Sequence, residues 1–123
     1  MTEHKRIIPA DRQEAYDLLH YAPAVVAGNR LYASGIIGDG KEPKAQFAAA
    51  FRRVRQVLEE AGFDMSNIVE MTTFHLDLNK HIEDFMSVKD EFIRAPYPAW
   101  TAVGTNELAF PDGLIEIRVI AEK

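Results

Sequence analysis

Asn67-Ile68-Val69-Glu70-Met71-Thr72-Thr73-Phe74-His75-Leu76-Asp77-Leu78 is the stretch whose reading decides the fold. Alternation with period two puts Ile68, Thr72, Phe74 and Leu76 on one strand face and Val69, Met71, Thr73, His75 and Asp77 on the other. Apolar residues on both faces mark a strand that is covered on both sides. The C-terminal stretch Leu114 to Ala121 has the same character, with Ile115, Ile117 and Val119 on one face and Leu114, Glu116, Arg118 and Ile120 on the other. A sheet built on these two strands needs helices for one face and something further for the second.

The helices are legible on either side. Between Pro43 and Ala61, the residues Phe47, Phe51, Val54, Leu58 and Ala61 recur at spacings of four and three, and Gly62 is placed to end the helix in the left-handed conformation. Pro43 suits a first turn, where the missing N–H is not needed. Asn79 is the expected N-cap of a second helix striped by Ile82, Phe85, Met86 and Phe92, which ends before Pro96 and Pro98. Ala24 to Ala27 and Leu31 to Ile36 read as a hairpin about Gly28-Asn29-Arg30, and Trp100 to Thr105 reads as a further strand. Residues up to about 22 mix both periods in Tyr16, Leu18, Leu19 and Tyr21 and are expected to be an irregular or partly helical lead-in. The order strand, strand, helix, strand, helix, strand, strand predicts one α+β or α/β domain over residues 1–123, with two helices on one face of a sheet. The uncovered second face predicts a homo-oligomer in which copies cover one another.

Composition narrows the functions. The 123 residues are 47% hydrophobic and 27% charged, and 14 Lys and Arg against 19 Asp and Glu leave a net charge of −5. That field repels phosphates, so a general nucleic-acid partner is not expected. Arg52, Arg53 and Arg55, beside Glu59 and Glu60, read as a solvated helix face. With 0 Cys there is no disulfide scaffold, thiolate nucleophile or cysteine metal site. The N-terminus has no apolar signal region, and no apolar run approaches the roughly 20 residues that span a bilayer. A cytoplasmic protein without a membrane partner is expected.

The chemistry-bearing candidates are few. His4, His20, His75 and His81 show no helical metal-pair spacing. His75 shares a face with Met71 and Thr73, and is either a hydrogen-bonded histidine in an interface or a group that contacts ligand and moves protons. Gly38-Asp39-Gly40 lacks the residues of a phosphate-cradling loop and reads as a turn. Glu116 interrupts an apolar strand. A carboxylate there either performs acid–base work or forms an ion pair with an arginine of a neighbouring strand or subunit.

Taken together, Tyr21-Ala22-Pro23-Ala24 with Gly28, Leu31-Tyr32-Ala33-Ser34-Gly35-Ile36, Val57 to Gly62, Ile68 to Phe74, Phe85 to Phe92, Pro96 to Val103 and Ile115 to Ala121 resemble, in order and spacing, the Rid family of YjgF-type reactive imine and enamine deaminases. The resemblance implies a chorismate-mutase-like fold. It also implies a homotrimer whose sheets form a central barrel, and small-molecule clefts between subunits. The implied activity is hydrolysis of imines and enamines such as 2-aminoacrylate to keto acid and ammonia, with no metal or cofactor. By position, Glu116 resembles the family's catalytic acid, and Tyr21, Ser34 and Gly35 resemble cleft residues. Where the family has Pro-Ala-Arg, this chain has Pro98-Ala99-Trp100 followed by Thr101, so the bidentate carboxylate anchor is replaced by an indole that suits stacking. Lys89 falls near a position where many relatives have asparagine. The pattern is similar to the arginine-lacking, YjgH-like branch, which points away from 2-aminoacrylate as substrate. The alternative is a ligand-binding trimer without turnover. Trp100, Thr101, Lys89 and His75 join Tyr21, Ser34 and Gly35 as expected ligand contacts.

Overall fold

The computed structural model describes residues 3–123; Met1 and Thr2, the start of the N-terminal stretch read above, lie outside the described residues. The elements are β1 (Lys5–Ile7), α1 (Gln13–Leu19), β2 (Ala24–Ala27), β3 (Arg30–Ala33), α2 (Pro43–Glu60), β4 (Ile68–His75), α3 (Leu78–Phe92), β5 (Ala99–Gly104) and β6 (Ile115–Glu122). They form one mixed six-stranded sheet in the order β1-β2-β3-β6-β4-β5. Only β4 and β5 pair in parallel, joined through α3; β6, last in the chain, lies between β3 and β4 and is antiparallel to both.

Burial follows the alternation of β6. Ile115, Ile117, Val119 and Ala121 are buried beneath the helices, while Glu116, Ile120 and Glu122 are half-buried and Arg118 is exposed on the opposite face. The helical layer contributes Phe47 and Phe51 of α2 and Phe85 of α3, whose ring centroids lie 5.4 and 5.5 Å from that of Phe85. Burying each ring contributes roughly 1.5–3 kcal/mol, and each aromatic pair about 1 kcal/mol more.

Local chemistry sets the helix ends. Pro43 occupies the first turn of α2. At its C-terminus Gly62 has φ +81°, its N–H donates to the Glu59 carbonyl at 3.0 Å, and the Phe63 N–H donates to the Leu58 carbonyl at 2.9 Å. These two bonds form a Schellman motif, with Phe63 and Leu58 both buried. The expected Asn79 cap is corrected: α3 begins at Leu78, and Asp77 precedes it in the left-handed region at φ 50°. Aspartate tolerates that conformation, and it turns the chain sharply out of β4.

Two further expectations change. The lead-in holds a strand as well as a helix, because Lys5–Ile7 pairs antiparallel with β2 and buries Ile7. Ile68 does not share a face with Thr72 and Phe74, because the β4–β6 register slips between Ile68 and Glu70. That bulge turns Ile68 to the buried side with Met71 and leaves Val69 outward.

The second sheet face carries Val25, Tyr32, Ile120, Phe74 and Val103 among Arg6, Glu70, Arg118 and Thr101, with Tyr32 and Val103 each 38% exposed. No helix of the described residues is long and apolar enough to cross a membrane.

Candidate functional site

Two clusters stand on opposite faces of the sheet. The first surrounds Glu116. After β3 ends, Ser34 and Gly35 bulge out of the ladder, and the chain returns to β6 at Ile36, which exchanges two 2.8 Å backbone hydrogen bonds with Ile117. This detour lays the Gly35 backbone against the Glu116 side chain. A Cβ at Gly35 would lie 2.5 Å from Glu116 Cδ and 2.6 Å from Oε2, so only glycine admits the carboxylate where it stands. Glu116 is half-buried, and among the described residues nothing hydrogen-bonds or ion-pairs with it, leaving its oxygens available to water or ligand. The Ser34 N–H donates to the Pro23 carbonyl at 2.9 Å, and its hydroxyl donates to the Ala22 carbonyl at 2.7 Å. Residues 21–23 are thereby stitched to the same corner. Tyr21 lines an adjacent groove of about 500 Å³ with Arg6, Tyr16, His20 and Val25.

The second cluster lies on the helix-covered face. Trp100 pairs in register with Met71, so its side chain shares the buried side with Met71, Thr73 and His75. The Trp100 indole N–H donates to Thr73 Oγ1 at 2.9 Å, and Thr73 Oγ1 is 2.7 Å from His75 Nε2. Indole nitrogen only donates, so Thr73 Oγ1 accepts from Trp100, and toward His75 Nε2 the hydroxyl donates or accepts according to the imidazole tautomer. His75 Nδ1 is buried without a partner. The ring is 0% exposed and sits edge-on to Phe85 at 4.8 Å. Burial, helped by the nearby His81, pushes its pKa down to about 4. The Lys89 ammonium lies 4.9 Å over the Trp100 ring.

The expected site residues therefore divide. Ser34, Gly35 and Glu116 come together, with Tyr21 in the neighbouring groove. His75, Lys89 and Trp100 gather on the other side of the same sheet. Thr101 pairs with Thr72 on the open face and is exposed. Within one chain, His75 does not face Glu116, and the indole N–H is already engaged rather than free for a ligand. Thr73, which joins Trp100 to His75, was not singled out from sequence. Its signal was a second polar residue two positions from His75 on an otherwise apolar strand face. The arginine cluster is also divided: Arg53 bonds Asp39 and the Ile37 carbonyl, and Arg55 lies over Phe92 at 5.5 Å.

This fold recurs in known proteins. The family profile described as Endoribonuclease L-PSP matches residues 12–123. The chain belongs to this YjgF-type family. RutC family protein YjgH of Escherichia coli strain K12 is 40% identical over 128 residues, covering 98% of this chain and 96% of its own. The solved structure of protein YjgH matches with a TM-score of 0.89 at 35% identity, over 98% of this chain and 96% of that one. A 2-iminobutanoate/2-iminopropanoate deaminase of Dermatophagoides farinae is 32% identical over 99 residues, covering 72% of this chain and 74% of its own. Gly35 and Glu116 are thus the polar corner of a YjgF-type chain, and Trp100 belongs to its interior rather than to the open face.

Proposed function

We propose that this YjgF-type protein is a hydrolytic deaminase of small reactive imines and enamines, with Glu116 as the group that positions and deprotonates water. Water adds its oxygen to the imine carbon, the C–N bond breaks, and nitrogen leaves as ammonia while the carbon becomes a carbonyl. An enamine enters as its imine tautomer. The chemistry calls for proton transfers rather than a cofactor. The observation that carries the reading is the unpaired, half-buried Glu116 carboxylate held against the Gly35 backbone. The named activity of the 32% identical mite relative supports the same reaction class.

In this reading the open sheet face is covered by two further copies in a trimer in the cytoplasm, and the small-molecule cleft forms where a second copy meets the Ser34, Gly35 and Glu116 corner. The substrate is not the ordinary 2-aminoacrylate, because a tryptophan stands where the family's carboxylate-binding arginine is expected and its N–H is bonded to Thr73. Generating 2-aminoacrylate in situ beside a carboxylate-free imine, with and without the protein, tests this directly. Acceleration of the carboxylate-free imine, lost by about 10²–10⁴-fold in Glu116→Gln with the assembly intact, is the expected result. Undiminished turnover in that variant would remove Glu116 from the reaction.

A second reading, a binding protein without turnover, is favoured by the Trp100 environment, where the indole is fixed by Thr73 and overlaid by Lys89. Absence of acceleration with either imine would select it.

A further inference from the structure

Two segments of chain leave the Gly35 and Glu116 corner, and one buried side chain holds both. β3 pairs with β6 at Tyr32 and Ile120, and the chain rejoins β6 at Ile36 and Ile117, so Ala33, Ser34 and Gly35 stand opposite Arg118 and Val119 alone. The extra residue makes a β-bulge beside Glu116. Beyond the bulge the ladder consists of the two 2.8 Å backbone bonds between Ile36 and Ile117. So short a ladder is weak by itself and needs its far end held.

Gln46 holds that end. It stands near the start of α2, is 3% exposed, and its backbone N–H donates to the Glu42 carbonyl at 3.0 Å. Its side-chain Nε2 donates to the Gly40 carbonyl at 3.0 Å and the Asp112 carbonyl at 3.3 Å, and its Oε1 accepts from the Leu114 N–H at 2.5 Å. The reverse orientation would set an oxygen against two carbonyls, so the three partners fix the amide. One carboxamide thus joins the segment that follows Gly35 to the segment that precedes Glu116. The Leu114 carbonyl also accepts from the Leu76 N–H at 3.1 Å, which holds the approach to β6 from the β4 side. Gly38 is pressed so closely on α2 that a Cβ there would collide with the Gln46 carbonyl oxygen and the Ala50 nitrogen.

We propose that Gln46 is a positioning residue for Glu116, clipping residues 36–40 to residues 112–114 so that the Gly35 bulge stays folded against the carboxylate. The inference rests on the reading of Glu116 as the group that handles water. Gln46 acts through the backbone, because α2 covers one side of the sheet and the carboxylate stands on the other. The site calls for two donors and one acceptor on a single side chain, which glutamate and methionine do not supply.

Gln46→Met keeps length and packing but removes all three bonds. Gly40 and Asp112 are exposed, so their freed carbonyls turn to water and the variant is expected to fold. The full-length protein is followed by amide hydrogen exchange, by the carbon resonance of the Glu116 carboxyl, assigned through its loss in Glu116→Gln, and by imine turnover. In Gln46→Met the Ile36 and Ile117 amides are expected to exchange about tenfold faster or more, while the β4–β5 ladder is unchanged. The Glu116 resonance is expected to move, and kcat to fall about 10²-fold with KM within about twofold of wild type. Gln46→Glu is the second variant: at about pH 8 the corner is expected to exchange as in Gln46→Met, and towards about pH 5 protection returns to the wild-type level at that pH, because the neutral acid restores one donor and the acceptor. Unchanged exchange at Ile36 and Ile117, a uniform rise across the whole sheet, an unmoved Glu116 resonance, or full kcat with a loosened corner would each overturn the proposal. A wild type that turns over no imine would instead remove the deaminase reading, and exchange with the Glu116 resonance would still decide whether Gln46 holds the carboxylate in place.

Discussion

Acidifying the protein from pH 7.5 to 5 tests the environment of His75. In the unfolded chain the imidazole takes its ordinary value of 6.5, and in the fold burial holds it near 4. At pH 7.5 both states are neutral and the group contributes nothing to pH dependence. Below 6.5 the unfolded chain binds a proton that the folded core refuses, so stability falls with decreasing pH. The loss continues down to about 4 and then levels off. At 1.36 kcal/mol per pKa unit the loss is ~2 kcal/mol at pH 5 and ~3 kcal/mol below pH 4. Burial explains the direction, with the nearby His81 adding to it, because the dry core disfavours the charged ring. The assay is urea unfolding followed by Trp100 fluorescence at one fixed protomer concentration, repeated at pH 7.5, 6.5, 5.5 and 5.0. Wild type and His75→Gln are compared by slope against pH rather than by absolute stability. The wild type is expected to lose ~2 kcal/mol more than the variant between pH 7.5 and 5.0. Equal slopes, or a His75 ring proton that titrates between pH 6 and 7 in the native spectrum, would refute the reasoning.

Thr73→Val conserves shape but leaves the Trp100 N–H and His75 Nε2 without their shared partner, at a cost of about 2–4 kcal/mol; Thr73→Ser, which keeps the hydroxyl, is expected to cost about 1 kcal/mol. Chemical denaturation of both variants checks this, and a Val variant as stable as the Ser variant would remove the hydroxyl chain from the account. Gly35→Ala and Gly38→Ala form a contrasting pair. At Gly35 the new methyl meets the movable end of Glu116, so stability is expected to change by less than about 1 kcal/mol while imine hydrolysis falls. At Gly38 it meets the backbone of α2 at the Gln46 carbonyl oxygen and the Ala50 nitrogen, and destabilisation of about 1–3 kcal/mol or more is expected. Melting and turnover measured on both variants decide it, and loss of stability at Gly35 equal to that at Gly38 would count against a displaceable carboxylate.

Much of this arrangement was legible in the chain, because much of it is local. The 3.6-residue recurrence of Phe47, Phe51, Val54 and Leu58 specifies the buried stripe of α2, and Gly62 specifies its end by the conformation glycine alone adopts cheaply. Alternation along Ile115 to Ala121 separates Glu116 from the buried isoleucines before any partner strand is known. Three matters were settled only by pairing across the sheet. The bulge at Val69 moves Ile68 to the other face, and no period within β4 announces it, since it arises from register with β6. Lys5–Ile7 is a strand only because β2 offers it an edge. Most consequentially, alternation says which residues share a face but not which face lies under helices. Parallel register with β4 places Trp100 beside Met71, inside, while Glu116 pairs with Phe74, outside. Within one chain, the residues that sequence grouped as ligand contacts are therefore parted by the thickness of a sheet, because the choice of covered face depends on helices packed from elsewhere in the chain.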